Sequence, residues 1–418
     1  MDIKKLPMTN TQANYVKFEE VSPSVFNLSN GFLLKGKYDM ERMKKAVRKL
    51  YERHDAMRMV MKKDENGFYQ TIGNNIPDIE VISLKSESRD DRYNEAMQDA
   101  HTRVRQDIAF SDEGMYRFWA YELLDEEMVI MYIANHSGTD GTSMALLNME
   151  LEMLYENPDR TDIPQSSNFE DFMLERKELI ESEKYRKGSE YWKAIAEKGE
   201  MAELPEHEEV TEDCISMEIG AFVVPLEKIH KIAKAGKTSN FNVVFLMYRL
   251  ALYELLHKKN IFMTYIFTGR ITPKYFRTFG FIAQGAGSAI EIDDEADWAE
   301  NLKKVKTEMN ESMKYINYSD STVFGEYVLS YMPKTGSEVK RTFADLESTP
   351  FIIHSTSQFK GRLYAIIATE MNDVVYMYPM CDVSFYGKEF TTAFGDIMNK
   401  YADRLAENTN MSIRELTK

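Results

Sequence analysis

Residues 127–135, EMVIMYIAN, are apolar at almost every position and stop at an Asn-His pair. With MYRFWAYELL (115–124) they read as two neighbouring strands around an Asp-Glu turn. A short turn, Ser-Gly-Thr-Asp-Gly, follows, and residues 143–155 read as a helix. A strand that ends in a glycine-containing turn and runs straight into a helix restricts the chain to sheets with helices packed on them, an α/β class. The histidine at the junction, His136, has two readings on its own residues. It is a structural side chain beside a helix cap made by Asp140 or Thr142. Alternatively it presents a ring nitrogen, with an ordinary pKa of about 6.5, to a reacting group. Gly138 and Gly141 would then let backbone approach a ligand.

The rest of the chain repeats the mixed texture. DMERMKKAVRKLYER (39–53) is an amphipathic helix with Met43, Ala46, Val47, Leu50 and Tyr51 on one face and Asp39 as its cap. The next twenty residues suggest two strands around Glu65-Asn66-Gly67. Residues 89–106 look helical. ENPDRTDIPQSSN (156–168) reads as a connection between lobes. Beyond it come one long charged helix (169–198), an exposed acidic loop (200–213), a strand (215–224) and helices at 225–236 and about 241–257. Strands at 261–270 and 287–292 and a helix at about 296–315 follow, and then strands FIIHS, GRLYAIIATE and DVVYMYPMCD and a closing helix (386–406). Each half reads as a sheet with helices on it, so two lobes, 1–165 and 166–418, are expected.

The chain has 418 residues, more than one ordinary core requires. Its formal charge of −16 argues against non-specific nucleic-acid binding, which needs a basic face. Two cysteines, Cys214 and Cys381, form no metal-ligand pattern, so no metal site is expected. The start lacks the apolar core of a signal peptide, and VVFLMYRLALYELL (243–256) is too short and too charged to span a bilayer. No membrane span and a cytoplasmic location are expected. The 27 methionines suit an adaptable cavity, though a methionine-rich core is the simpler reading.

Asn135-His136-Ser-Gly-Thr-Asp140-Gly141 resembles the His-His-x-x-x-Asp-Gly motif of condensation domains, the amide-forming units of nonribosomal peptide synthetases. These belong to the chloramphenicol acetyltransferase-like superfamily. Ser143 matches the serine three residues after the motif's Asp. LPMTNTQANYV (6–16) is similar to the family's Ser-x-x-Gln segment, with Thr9 for Ser. LYERHDAMRMVM (50–61) is similar to its Arg-His-Glu-x-Leu-Arg segment through Arg53, His54 and Arg58, which read as anchors of a core edge. YRKGSEYWKAI (185–195) resembles the Tyr-Trp segment that opens the second lobe. FTGRITPKYFRTFGFIAQGAG (267–287) resembles the Gly-Arg segment and the Gly-x-Phe-x-Asn loop. Residues 378–405 resemble the closing strand and helix.

The resemblance covers nearly the whole chain and implies two chloramphenicol acetyltransferase-like lobes in a V, pseudo-twofold, with an active-site tunnel at their interface. It implies a catalytic set of His136, Asp140 and Gly141. His136 would take a proton from an attacking amine or hydroxyl, or hydrogen-bond it. Asp140 would pair with Arg270 to shape the loop, and the Gly141 N–H would face the reacting carbonyl. Asn135, standing where the family has its first histidine, and Arg270, Ser143 and Gln284 would support substrate or structure. Gln284 replaces the usual Asn.

No permanent cofactor is implied. The donor would be a thioester on a phosphopantetheine carrier protein or on coenzyme A, and the acceptor a small amine or alcohol. No adenylation or carrier motif is found, so a free-standing acyltransferase supplied by a carrier in trans is expected. The basic stretches ERMKKAVRKLYER and KYRKG (184–188) are docking candidates, or plain solvated faces. Two other readings compete: a coenzyme A-dependent alcohol O-acyltransferase, and a non-catalytic recruitment module. The intact His136, Asp140 and Gly141 argue against the second.

Overall fold

The computed structural model describes residues 4–201, 220–319, 324–333, 342–353 and 362–418. They form two compact units. The first comprises Met1–Ile180, Thr268–Ala283 and Val339–Ser357, and the second comprises Glu181–Phe267, Gln284–Glu338 and Gln358–Lys418.

The first unit is built on a six-stranded sheet. Its strands, numbered in chain order, are β1 (Asn27–Lys35), β4 (Glu80–Ile82), β5 (Tyr116–Glu122), β6 (Glu127–Asn135), β11 (Thr342–Phe343) and β12 (Leu346–Pro350). Their order across the sheet is β11-β12-β1-β6-β5-β4. Every pair is antiparallel except β4 with β5. β6 is buried at all nine positions because both faces of the sheet are covered. Met128, Ile130, Tyr132 and Ala134 meet helices α2 (Met40–Arg53) and α4 (Gly141–Glu156), whereas Val129, Met131 and Ile133 meet α3 (Arg89–Arg103). Alternate residues of a strand point to opposite faces, so one apolar run serves two cores. Each large apolar side chain so enclosed contributes about 1.5–3 kcal/mol. The hairpin of β2 (Met59–Asp64) and β3 (Gly67–Ile72) turns where its Asn-Gly predicts.

The second unit holds another six-stranded sheet. It comprises β7 (Phe222–Pro225), β8 (Met263–Phe267), β9 (Gln284–Ser288), β10 (Tyr327–Met332), β13 (Tyr364–Met371) and β14 (Val374–Cys381), in the order β7-β14-β13-β10-β8-β9. The apolar helix expected at 241–257 runs Asn240–Leu256, capped by Ser239 and buried from Asn242 to Leu252. Its Arg249 is enclosed and donates to the carbonyls of Ile261, Ile290 and Ser288. No helix among the described residues is long and apolar enough to cross a membrane.

Three expectations are corrected. The long helix 169–198 is two helices, α5 (Phe169–Ile180) and α6 (Glu183–Lys198), because Ser182 caps the second by accepting from the Tyr185 N–H at 3.1 Å. The lobe boundary moves from 165/166 to 180/181. α5 belongs to the first unit because Phe169, Phe172 and Met173 join its core and the Asp55 carboxylate accepts the N–H groups of Phe169 and Glu170. Nor is 166–418 one lobe, since 268–283 and 339–357 return to the first unit, where β12 pairs with β1. The strand expected at FIIHS ends earlier, at Pro350, and its last two residues lie outside the described residues, as do 202–213, Cys214 and 215–219.

Candidate active site

Strand β6 carries Asn135 to its end opposite Asn27 of β1. The next residue, His136, is held by its N–H donating to the Phe26 carbonyl at 2.8 Å. Asn135 is fully enclosed. Its Nδ2 donates to Glu19 (2.9 Å) and Asn27 (3.1 Å), and its Oδ1 accepts from the Ser137 N–H (3.0 Å) and hydroxyl (2.5 Å). This amide thus satisfies polar groups of the turn and of the strand beside it.

The imidazole of His136 is half-buried between two rings. Tyr15 lies at 5.1 Å between centroids, and Phe281 meets it edge-on at 5.3 Å. Nδ1 points inward without a hydrogen-bond partner among the described residues. Burial pushes its pKa below the ordinary histidine value, against the opposing pull of nearby backbone and the Asp140 carboxylate. The shift favours the uncharged ring.

Asp140 does not relay charge to this ring. It is the N-cap of α4, and its Oδ1 accepts the Ser143 N–H at 2.9 Å. Its Oδ2 accepts from Arg270 Nη1 (2.8 Å) and from the N–H groups of Ile282 and Ala283 (3.0 Å each). Burial alone would raise this carboxylate's pKa; the Arg270 charge and the surrounding N–H donors outweigh it and hold the pKa below the usual range. Arg270 is enclosed in turn. It donates to the carbonyls of Thr278 and Thr268 and to the Ser143 hydroxyl, which also accepts the Gly280 N–H. Asp140, Ser143 and Arg270 are thus one clamp that folds 268–283 against the start of α4.

Gly141 is exposed as the first residue of α4, where helix N–H groups lack intrahelical partners and favour negative charge. Gly138 is buried. A Cβ there would meet Met115 Sδ at 2.6 Å, so its bareness serves packing rather than approach to a ligand. Gln284 is the first residue of β9 in the second unit, where the Ser319 hydroxyl donates to it at 3.4 Å. His54 and Arg58 have the anchoring contacts expected of them. His54 bonds the buried Glu150 at 2.8 Å and stacks on Phe279, while Arg58 donates to the Gly73 and Tyr51 carbonyls.

The sequence reading missed Tyr15, Phe281 and Glu19. Their link to His136 spans more than a hundred residues of chain. For Tyr15 and Glu19 the available signal was their helical spacing with Gln12, which donates to the Ser137 carbonyl at 2.8 Å and helps hold the same turn; Phe281 had none. The basic docking candidates are largely paired: Lys44 with Glu41, Lys49 with Glu52, Arg48 with Asp78, Arg186 with Glu190 and Lys187 with Glu183. They have the character of solvated faces. Among the described residues no group of three or more His, Cys, Asp or Glu could hold a metal ion.

A family model described as "Condensation domain" matches residues 3–321. Bacitracin synthase 2 of Bacillus licheniformis is 24% identical over 324 residues, 72% of this chain but 12% of that protein. The chain spans only 4% of tyrocidine synthase 3 of Brevibacillus parabrevis, to which it is 23% identical over 286 residues. Among solved structures, the condensation domain of the Monacolin K polyketide synthase superimposes with a TM-score of 0.80 at 14% identity, covering 98% of this chain and 99% of that one. A Streptomyces globisporus protein, in complex with a naphthyl ethanediol and sucrose, gives 0.74 at 16% identity, covering 97% and 100%. These structures establish the mixed α/β, chloramphenicol acetyltransferase-like fold.

Proposed function

Since the chain belongs to the condensation-domain family, we propose that it is an acyltransferase that forms an amide by attack of an amine on a carrier-bound acyl or aminoacyl thioester, as in nonribosomal peptide synthesis. What supports this reading is the imidazole of His136, half-buried at a strand end between Tyr15 and Phe281, with its backbone N–H held on the Phe26 carbonyl. The amine nitrogen attacks the thioester carbonyl, the C–N bond forms and the C–S bond breaks. His136 Nε2 accepts or orients the proton leaving nitrogen, and that proton goes to the departing phosphopantetheine thiolate. Direct attack needs no enzyme nucleophile. The Gly141 N–H at the start of α4 is the donor for the oxyanion that develops on the carbonyl. Asp140 and Arg270 hold this turn in shape and touch no reactant. The carrier protein is the proposed partner, the donor thioester is substrate rather than cofactor, and Gln284 is a proposed substrate-side residue.

A second reading, transfer to a hydroxyl from a carrier or coenzyme A thioester, has one support: the S. globisporus relative was crystallised with a diol. The test of both is thiol release and product mass for wild type and His136→Ala, with carrier and coenzyme A thioesters offered to amines and alcohols. Acceptor-dependent release that falls by about a hundredfold or more in the variant is expected. Equal release by both proteins refutes the role of His136, and no release with any pair favours a recruitment module.

A further inference from the structure

Helix α1 (Asn10–Val21) is capped by Thr9 and presents Gln12, Tyr15 and Glu19 at spacings of three and four residues, one face of a helix. All three grip the turn that carries His136. Gln12 Nε2 donates to the Ser137 carbonyl at 2.8 Å. Tyr15 packs on the imidazole. Glu19, 1% exposed, accepts three hydrogen bonds: from the Ser24 N–H (2.8 Å), the Phe26 N–H (2.9 Å) and Asn135 Nδ2 (2.9 Å). Phe26 and Asn135 are the two residues that fix His136, one through its carbonyl and the other through the peptide bond and the Ser137 bonds. No cation is among these partners; burial raises the Glu19 pKa, the three hydrogen bonds oppose it, and the like charge of Asp107 adds to the rise. A buried carboxyl group with no cation among its described partners is costly, and here it is kept where three donors converge beside the turn bearing the imidazole.

We propose that Glu19 is a positioning residue for His136, acting through Asn135 and the Phe26 carbonyl. The proposal rests on the reading of His136 as the proton-handling group. It also accounts for the Asn at position 135, which offers one N–H to Glu19, the other to Asn27, and an oxygen to Ser137. Glu19→Gln presents one oxygen and one NH2 group to three donors, so one donor is stranded and the turn loosens. Water then reaches the imidazole. Loss of a nearby negative charge alone would lower the pKa of His136, whereas admission of water raises it, so the sign separates the two effects. Asp140 remains clamped by Arg270 in either case.

The test is a ring-carbon NMR titration of the full chain carrying labelled histidine, with the His136 signal among the seven histidines assigned from His136→Gln. In Glu19→Gln the His136 midpoint is expected to rise by about half a pH unit or more while the others stay within about 0.1. With a substrate pair that turns over, kcat falls about tenfold and KM changes by less than about threefold. An unchanged or lowered His136 midpoint in the folded variant overturns the proposal. If Glu19→Gln does not fold, Glu19→Asp replaces it under the same criteria, since its shorter arm keeps the charge and cannot reach Ser24 and Asn135 together. Turnover that survives His136→Ala removes the reading of His136, and the titration still decides whether Glu19 sets that ring.

Discussion

Replacing Asp140 with Asn would strip the clamp of its charge while keeping its size. The Oδ2 that is lost accepts from Arg270, Ile282 and Ala283. An NH2 group in its place faces three donors, and flipping the amide moves the conflict to the Ser143 N–H and hydroxyl. Two backbone N–H groups lose their acceptor, and the Arg270 guanidinium, 3% exposed, is left without its counter-charge. Breaking one side of a buried pair costs about 3–5 kcal/mol. For a unit of this size that is a fall of about 6–20 °C in melting midpoint. The pH dependence has a definite sign. The folded pKa of Asp140 lies below its unfolded value, so its stabilisation is present above about pH 4 and is lost as pH falls through the folded pKa. Melting curves of wild type and Asp140→Asn should therefore differ by a constant amount near neutrality and converge at acid pH. Arg270→Met should destabilise similarly, and the double variant by clearly less than the two together. A drop under about 2 °C, or strict additivity, would refute the account of the clamp.

Gly269→Ala should be severe. Gly269 has φ +67° and a Cβ there would lie 1.9 Å from the Ile282 carbonyl oxygen, so a loss of about 3 kcal/mol or more is expected by thermal melting; a melt matching wild type would contradict the close approach. Tyr15→Ala should admit water to His136 and move the acid limb of the kcat/KM–pH profile up towards about 6.5. An unmoved limb would mean that Tyr15 does not shield the ring.

Much of this was legible in local pattern. Helix 39–53, the strand ending at Asn135 and the helix after Asp140 have periodicity, cap and turn residues that agree with one another, and each forms within a residue or two of its expected bounds. The pairing of Asp140 with Arg270 came from resemblance rather than periodicity, because 130 residues separate them. What local pattern did not carry is burial decided from afar. Ser182 looks like any polar residue in a charged helix until its hydroxyl caps α6. Phe281 and Glu19 acquire their surroundings only when the strand end and α1 meet. The membership of 346–350 in the first sheet depends on a partner strand three hundred residues earlier.

That last pairing has a consequence for synthesis. β1 lies between β6 and β12, so until residues 346–350 are made, one whole edge of β1 is unpaired, and Arg270 too is absent while Asp140 waits. At ribosomal rates the gap between Ile180 and Pro350 lasts on the order of 10–30 s. An open strand edge is a template for pairing with other chains. The first unit therefore waits on residues made long after its first 180, and during translation that stretch carries an open edge for chaperones to cover.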